Sequence, residues 1–346
     1  MMESFKHHLP IYTDIAGRRE GFKLETNPLL EVKGLKTHFF SKDVTVRAVD
    51  GVDLTVHPKE VVCVVGESGS GKSMTALSIM GLVPQPRGKI IEGEIIFEGE
   101  DLVDKSTVEL AEMRGNDISM IFQEPMTALN PVLKIGDQIQ EGYIRHRNVS
   151  KAEARAKAVE MLRFVSVPRA EEIMDEYPHQ LSGGLRQRVM IAMAMMCDPK
   201  LLIADEPTTA LDVTIQFQVM DLMKKMREDF DTAILLVTHD LGVVAEMADH
   251  VVVMYAGQVV ENTDADTLFE KALHPYTKGL MESIPSINED KEVLYSIPGI
   301  VPEASNFPKG CRFADRCPIA IDRCREKMPE LREIEPGHFI RCDVIE

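Results

Sequence analysis

Hydrophobic and polar positions first settle into a regular order at Leu29. LLEVKGLKTHFF and VRAVDGVDLTV alternate and then turn at His57-Pro58-Lys59, which predicts antiparallel strands. Residues 1–28 show no such period and read as an irregular extension. Val61–Val65 is an unbroken apolar run, the pattern of a strand buried on both faces. A glycine-rich stretch follows it, then a helix-compatible segment, Met74–Met80. Pro84-Gln85-Pro86-Arg87-Gly88 breaks the chain, and GEIIFEGEDL reads as a strand and turn. A short helix over Thr107–Arg114 leads to an apolar strand, DISMIF, that stops at Gln123-Glu124-Pro125.

From residue 126 to about 190 the period changes from strand to helix and charge increases. Ser150 with Glu153 makes a capping box, and Ala154, Ala158, Met161, Leu162 and Val165 share one helical face. Val189–Met196 is apolar nearly all round and predicts a buried helix with methionines as core filler. Apolar strands then return at Leu201–Ala204, Ala233–Val237 and Val251–Tyr255, with helices between them. The sum is an α/β fold with a largely parallel sheet, an antiparallel β subdomain before it and a helical subdomain inserted in it. Three regions are expected: an extension (1–28), a core (29–270) and a proline- and cysteine-containing C-terminal module (271–346).

Composition narrows the classes. The formal charge of −17 over 346 residues argues against non-specific nucleic-acid binding and against direct attachment to anionic lipid. No apolar run reaches the roughly 18 residues of a membrane helix, and the polar N-terminus lacks the apolar segment of a secretory signal. Cys63 and Cys197 sit alone in apolar segments and read as buried. Cys311, Cys317, Cys324 and Cys342 cluster near the C-terminus.

The chemistry starts in EVVCVVGESGSGKSMT. A strand, then GxxxxGK(S/T), then a helix is the context a phosphate-binding loop requires. Gly66, Gly69 and Gly71 permit the backbone to approach phosphates, and Glu67, Ser68, Ser70 and Met74 complete the loop. Its N–H groups meet negative charge at a helix N-terminus, Lys72 reaches the β- and γ-phosphates, and Ser73 is a Mg²⁺ ligand. At the end of another strand, Asp205 is placed to hold Mg²⁺ and Glu206 to polarise a water, which points to hydrolysis. LSGGLRQR offers Ser182, Gly183 and Gly184 at a second anion-binding helix terminus. One loop does not need two such termini unless the second serves a neighbouring molecule. His239, at a third strand end, is within reach of a γ-phosphate by position. For the adenine, the rings of Phe39 and Phe40 are candidates to stack, although a ring in a strand is commonly packing.

In this order the motifs resemble those of ABC-transporter ATPase subunits, over residues from about 30 to 270. GESGSGKS resembles Walker A, Gln123 the Q-loop, LSGGLRQR the signature, and LLIADE Walker B with Glu206 as catalytic residue. Thr209-Ala210-Leu211-Asp212 resembles the D-loop and His239 the switch histidine. The resemblance implies a P-loop NTPase with a RecA-like core, with Glu206, His239, Gln123 and Lys72 as catalytic residues. Gln123 joins Ser73 and Asp205 around Mg²⁺, Asp212 belongs to the nucleotide site, and Phe39, Phe40 and Arg47 are the candidates for the adenine-stacking position the resemblance implies. Leu185 departs from the Gln often found after SGG, but Ser182 and Gly184 are kept. Two subunits would sandwich two ATP molecules head to tail, with Gln123 passing motion to a membrane subunit.

HPYTKGL from His274, FQEPMTALNP and EPTTALDVTIQ resemble the branch of ATPases serving oligopeptide and dipeptide importers, which nickel importers share. That branch implies a second, distinct ATPase, two permease subunits, an extracytoplasmic peptide-binding protein reached through them, and a peripheral place on the cytoplasmic membrane face. The cysteines run C-x5-C-x6-C-x17-C. Thiolates so spaced suit Fe–S or zinc, with free or disulfide-bonded cysteines the other option. The branch resemblance implies a 4Fe–4S cluster on Cys311, Cys317, Cys324 and Cys342. Non-transport ABC ATPases of DNA repair or translation fit less well, because the insertion is compact, the charge acidic and the core single.

Overall fold

A computed structural model describes residues 27–123, 128–209, 212–283 and 295–345. Nearly all of the expected extension lies outside these residues. The alternating stretches form β1 (Leu30–Phe40) and β2 (Thr45–Val56), paired antiparallel, and with β4 (Gly88–Phe97) and β5 (Glu100–Asp101) they make a four-stranded sheet in the order β2-β1-β4-β5.

The apolar runs form the second sheet. β3 (Val61–Val65), β7 (Leu201–Asp205) and β8 (Ala233–Thr238) are buried along their whole length, as both-face burial in a parallel sheet demands. With β6 (Ile118–Ile121) and β9 (His250–Tyr255) they run parallel in the order β9-β3-β8-β7-β6. Register puts Val65 beside Thr238 and Asp205 beside Val237, so three strands end at one edge. That is where open α/β sheets bind ligands.

Helices supply both covers. The Lys72–Ile79 helix lies with the apolar core between the two sheets. Between β6 and β7 the described chain is helical, with helices Ile135–Arg147, Lys151–Phe164 and Gly183–Ala194. Ala158, Met161, Leu162 and Val165 enter the second core, as does most of the methionine-rich helix, and Ala154 is buried on the same face. Ser150 caps its helix by accepting from the Glu153 N–H; the reciprocal arm of a capping box is present instead at Ser106 and Glu109.

The C-terminal residues add to the same sheet. β10 (Gln258–Asp264) pairs antiparallel with β9 and also with β12 (His338–Ile340), and β11 (Arg332–Glu335) forms the edge. The pairing is anchored by Glu261, which is fully buried. Its carboxylate accepts from Leu273 N (2.7 Å), His274 N (3.0 Å) and His338 Nε2 (2.8 Å). Further along, Arg312 pairs with Asp50 and donates to Ala256 O, and Arg47 N donates to Ala304 O (2.9 Å).

Candidate active site

The glycine-rich loop leaves β3 at Gly66, whose φ of 152° brings a hypothetical Cβ to 2.1 Å from Met254 O. Gly71, at φ 100°, would put one 2.5 Å from Ala48 O. No other residue fits either position, so the loop's path follows from these two glycines. Lys72 folds inward and is almost fully buried. Its ammonium donates to Gly66 O (2.7 Å) and Glu67 O (3.0 Å). Burial pulls its pKa below the usual lysine value, opposed by Glu206, Asp205 and Glu67.

Ser73 Oγ donates to Asp205 Oδ1 at 2.9 Å, across 132 residues of sequence. A hydroxyl and a carboxylate face one another there, two oxygen donors of the kind Mg²⁺ takes. Burial, with Glu206 adding to it, raises the Asp205 pKa against the Ser73 hydrogen bond and Lys72. A cation between these oxygens would reverse that balance.

Glu206 holds φ 47°, in the left-handed region, just past the end of β7. Three side chains converge on its carboxylate. Gln123 Nε2 donates to Oε2 at 3.0 Å, Thr209 Oγ1 donates to the same oxygen at 2.9 Å, and His239 Nδ1 lies 3.3 Å from Oε1. A cavity of about 410 Å³ opens in front of this group. Gly66, Glu67, Ser68, Gln123, Glu206 and His239 line it, joined by Leu241 and by Leu280 from the C-terminal region. Its volume is that of an ordinary small-ligand site.

Not all expected residues meet there. Ser182 caps the Gly183–Ala194 helix, accepting from Leu185 N, and Ser182 and Gly183 are exposed away from the cavity lining. Asp212 caps the Val213–Phe230 helix through Ile215 N (3.0 Å), while Ala210 and Leu211 of the same motif lie outside the described residues. Phe39 faces Gly88, where its ring would lie 2.8 Å from an added Cβ, whereas Phe40 and Arg47 are exposed. Thr209 as a partner of Glu206 was missed; its spacing of three after the carboxylate is the signal that was available.

The iron–sulfur expectation needs correction. Among the described residues no group of three or more His, Cys, Asp or Glu side chains is disposed to hold a metal ion, and Cys311, Cys317, Cys324 and Cys342 are free thiols. Burial pushes the Cys311 thiol up to about 11 and raises Cys317 as well, which favours the protonated form rather than the thiolate a metal binds. Cys311 and Cys317 pack against the apolar core, and Cys311 N donates to Cys324 O (2.7 Å). The tail is held by packing, the Glu261 network and arginine pairs.

Residues 49–209 match the ABC transporter family model, and residues 260–324 match that of the oligopeptide/dipeptide transporter C-terminal region. The oligopeptide transport ATP-binding protein AppD of Bacillus subtilis (strain 168) is 58% identical over 92% of this chain and 97% of its own. The chain belongs to the ABC transporter ATP-binding family. A probable peptide ABC transporter ATP-binding protein, y4tR, of Sinorhizobium fredii is 50% identical over 92% of this chain and 97% of its own. Among solved structures, the dimeric bacterial ABC transporter cassette MJ0796 is 29% identical with a TM-score of 0.62, covering 68% of this chain and 98% of that one. The P-loop ABC ATPase fold expected from the motifs is the fold found, and this ABC subunit is an ATPase. No helix of the described residues is long and apolar enough to cross a membrane.

Proposed function

We propose that this ABC subunit hydrolyses ATP to drive peptide import through membrane partners on the cytoplasmic face of the membrane. Its relatives named for oligopeptide transport and peptide import support the substrate class, as does the match over residues 260–324. In this reading the core spans 29–270 and the C-terminal region 271–346. The loop Gly66–Ser73, with Met74 behind it, cradles the phosphates, and Lys72 turns from the loop carbonyls to the β- and γ-oxygens. Ser73, Asp205 and Gln123 would hold Mg²⁺, which neutralises phosphate charge when bound. Glu206 takes the proton of the attacking water, with Gln123, Thr209 and His239 fixing its carboxylate. Phe40 or Arg47 covers the adenine.

The exposed Ser182 and Gly183 and the half-buried Gly184, with Asp212, complete the site of a second ATPase, so two copies of the motif close on two nucleotides. ATP favours the closed pair because it contacts both subunits only there, and hydrolysis removes that preference. Two permease subunits and, through them, an extracytoplasmic peptide-binding protein complete the assembly.

The observation that carries the reading is the convergence of Gln123, Thr209 and His239 on Glu206 beside the phosphate loop. With its membrane and ATPase partners present, the wild type should hydrolyse ATP faster when peptide is supplied. Glu206→Gln should bind ATP and accumulate a closed pair without turnover. Sustained hydrolysis by that variant would refute the mechanism, and stimulation by metal ions but not peptides would refute the substrate.

A further inference from the structure

The second position of the phosphate loop is chemically out of place. GxxxxGK(S/T) leaves the residue after the first glycine open, and here it is a glutamate lining the cavity. A carboxylate beside a triphosphate repels it unless the charge is neutralised. Glu67 is neutralised from 249 residues away. Arg316 Nη1 and Nη2 donate to its two carboxylate oxygens at 2.7 and 3.0 Å, a forked pair in which the arginine is buried. The Glu67 N–H is also taken, by Tyr276 Oη at 2.8 Å.

Both partners belong to the C-terminal region, and both are themselves fixed. Arg316 Nε donates to Pro298 O (2.9 Å), and its Nη atoms reach Ile297 O and Tyr255 Oη, each at 3.3 Å. Its hydrogen bonds to Glu67 outweigh burial and raise its pKa, so the charge is permanent. The Tyr276 ring is locked between Tyr255 and Phe313, at centroid distances of 4.7 and 5.5 Å. Leu280, one turn along the same helix, lines the cavity.

We propose that Arg316 and Tyr276 are positioning residues of the ATP site, turning the Glu67 carboxylate away from the phosphates so that the loop accepts nucleotide only while the C-terminal region is docked. The coupling is reciprocal: whatever loosens the C-terminal region weakens ATP binding, and ATP tightens that region. The inference rests on the reading that Gly66–Ser73 binds ATP, and Lys72→Ala tests that reading separately.

The test uses the full chain and ATP with Mg²⁺, measuring the dissociation constant by calorimetry and the melting temperature in parallel. Arg316→Met keeps the buried stem and frees the carboxylate, and should weaken ATP binding roughly tenfold. Adding Glu67→Gln to that variant removes the repelling charge and should recover most of the loss. Arg325→Ala, which removes an exposed surface pair with Asp315, should leave affinity unchanged. A folded Arg316→Met protein binding ATP within twofold of wild type, or no recovery in the double variant, overturns the inference. If Arg316→Met does not fold, Tyr276→Phe decides: a threefold or greater weakening supports the proposal and wild-type affinity overturns it. Unimpaired binding by Lys72→Ala would instead overturn the assignment of the loop.

Discussion

Acid should loosen the C-terminal region at one identifiable atom. His274 caps the Pro275–Glu282 helix, its Nδ1 accepting from Tyr276 N at 3.1 Å, and only a neutral ring can accept there. The ring is buried, and that burial lowers its pKa from 6.5 to about 4, with Glu261 pulling upward and Arg341 and Lys278 downward. The unfolded chain therefore takes up a proton below pH 6.5 that the folded chain refuses. The sign follows: stability from this group is complete above about pH 6.5 and is lost progressively as pH falls toward 4. Between pH 7 and pH 5 the loss is about 2 kcal/mol. A chain of 346 residues has a urea dependence steeper than the roughly 3 kcal/mol/M of small proteins, so this moves the midpoint by about 0.5 M. The chain has no tryptophan, so far-UV circular dichroism is the readout. His274→Asn keeps a capping side chain without the titration, and its midpoint should change between pH 7 and pH 5 by about 0.5 M less than that of wild type. Parallel pH dependence in the two proteins would refute the argument.

Thr209→Val should lower kcat about 5–10-fold with KM for ATP nearly unchanged, because it removes one hydrogen bond from Glu206; steady-state kinetics check this. Gly66→Ala should cost at least about 2 kcal/mol and abolish nucleotide binding, since the added Cβ meets Met254 O; thermal unfolding and calorimetry report both. Glu261→Leu leaves three donors without an acceptor and should destabilise by about 3–5 kcal/mol, read as a lower melting temperature and faster proteolysis beyond residue 270.

How much of this was legible in the chain depends on the range of the interaction. The strands ending at Val65, Asp205 and Thr238 were visible because burial on both faces writes an unbroken apolar run, and the residues just after them carry the chemistry. The helix face from Ala154 to Val165 was visible because its period is local. The pairing of β12 with β10 was not: two residues of ladder, Glu261 with Ile340 and Asn262 with Phe339, leave no local period. Neither was the use of Glu67, whose partners lie some 209 and 249 residues away. The cysteines misled in the opposite way. Their spacing is a local pattern, but their chemistry depends on burial, which spacing does not report.

The distance between Glu67 and Arg316 also has a consequence for synthesis. A ribosome releases β3 and the phosphate loop early and delivers Arg316 and β12 near the end, so the loop emerges long before its brace. A chain that stalls or is clipped before residue 316 retains every ATPase motif, yet presents triphosphate with an uncompensated carboxylate and a sheet lacking its last strands. On the proposed coupling, a fragment ending before Arg316 should bind ATP more weakly than the finished polypeptide, although both carry the same phosphate loop.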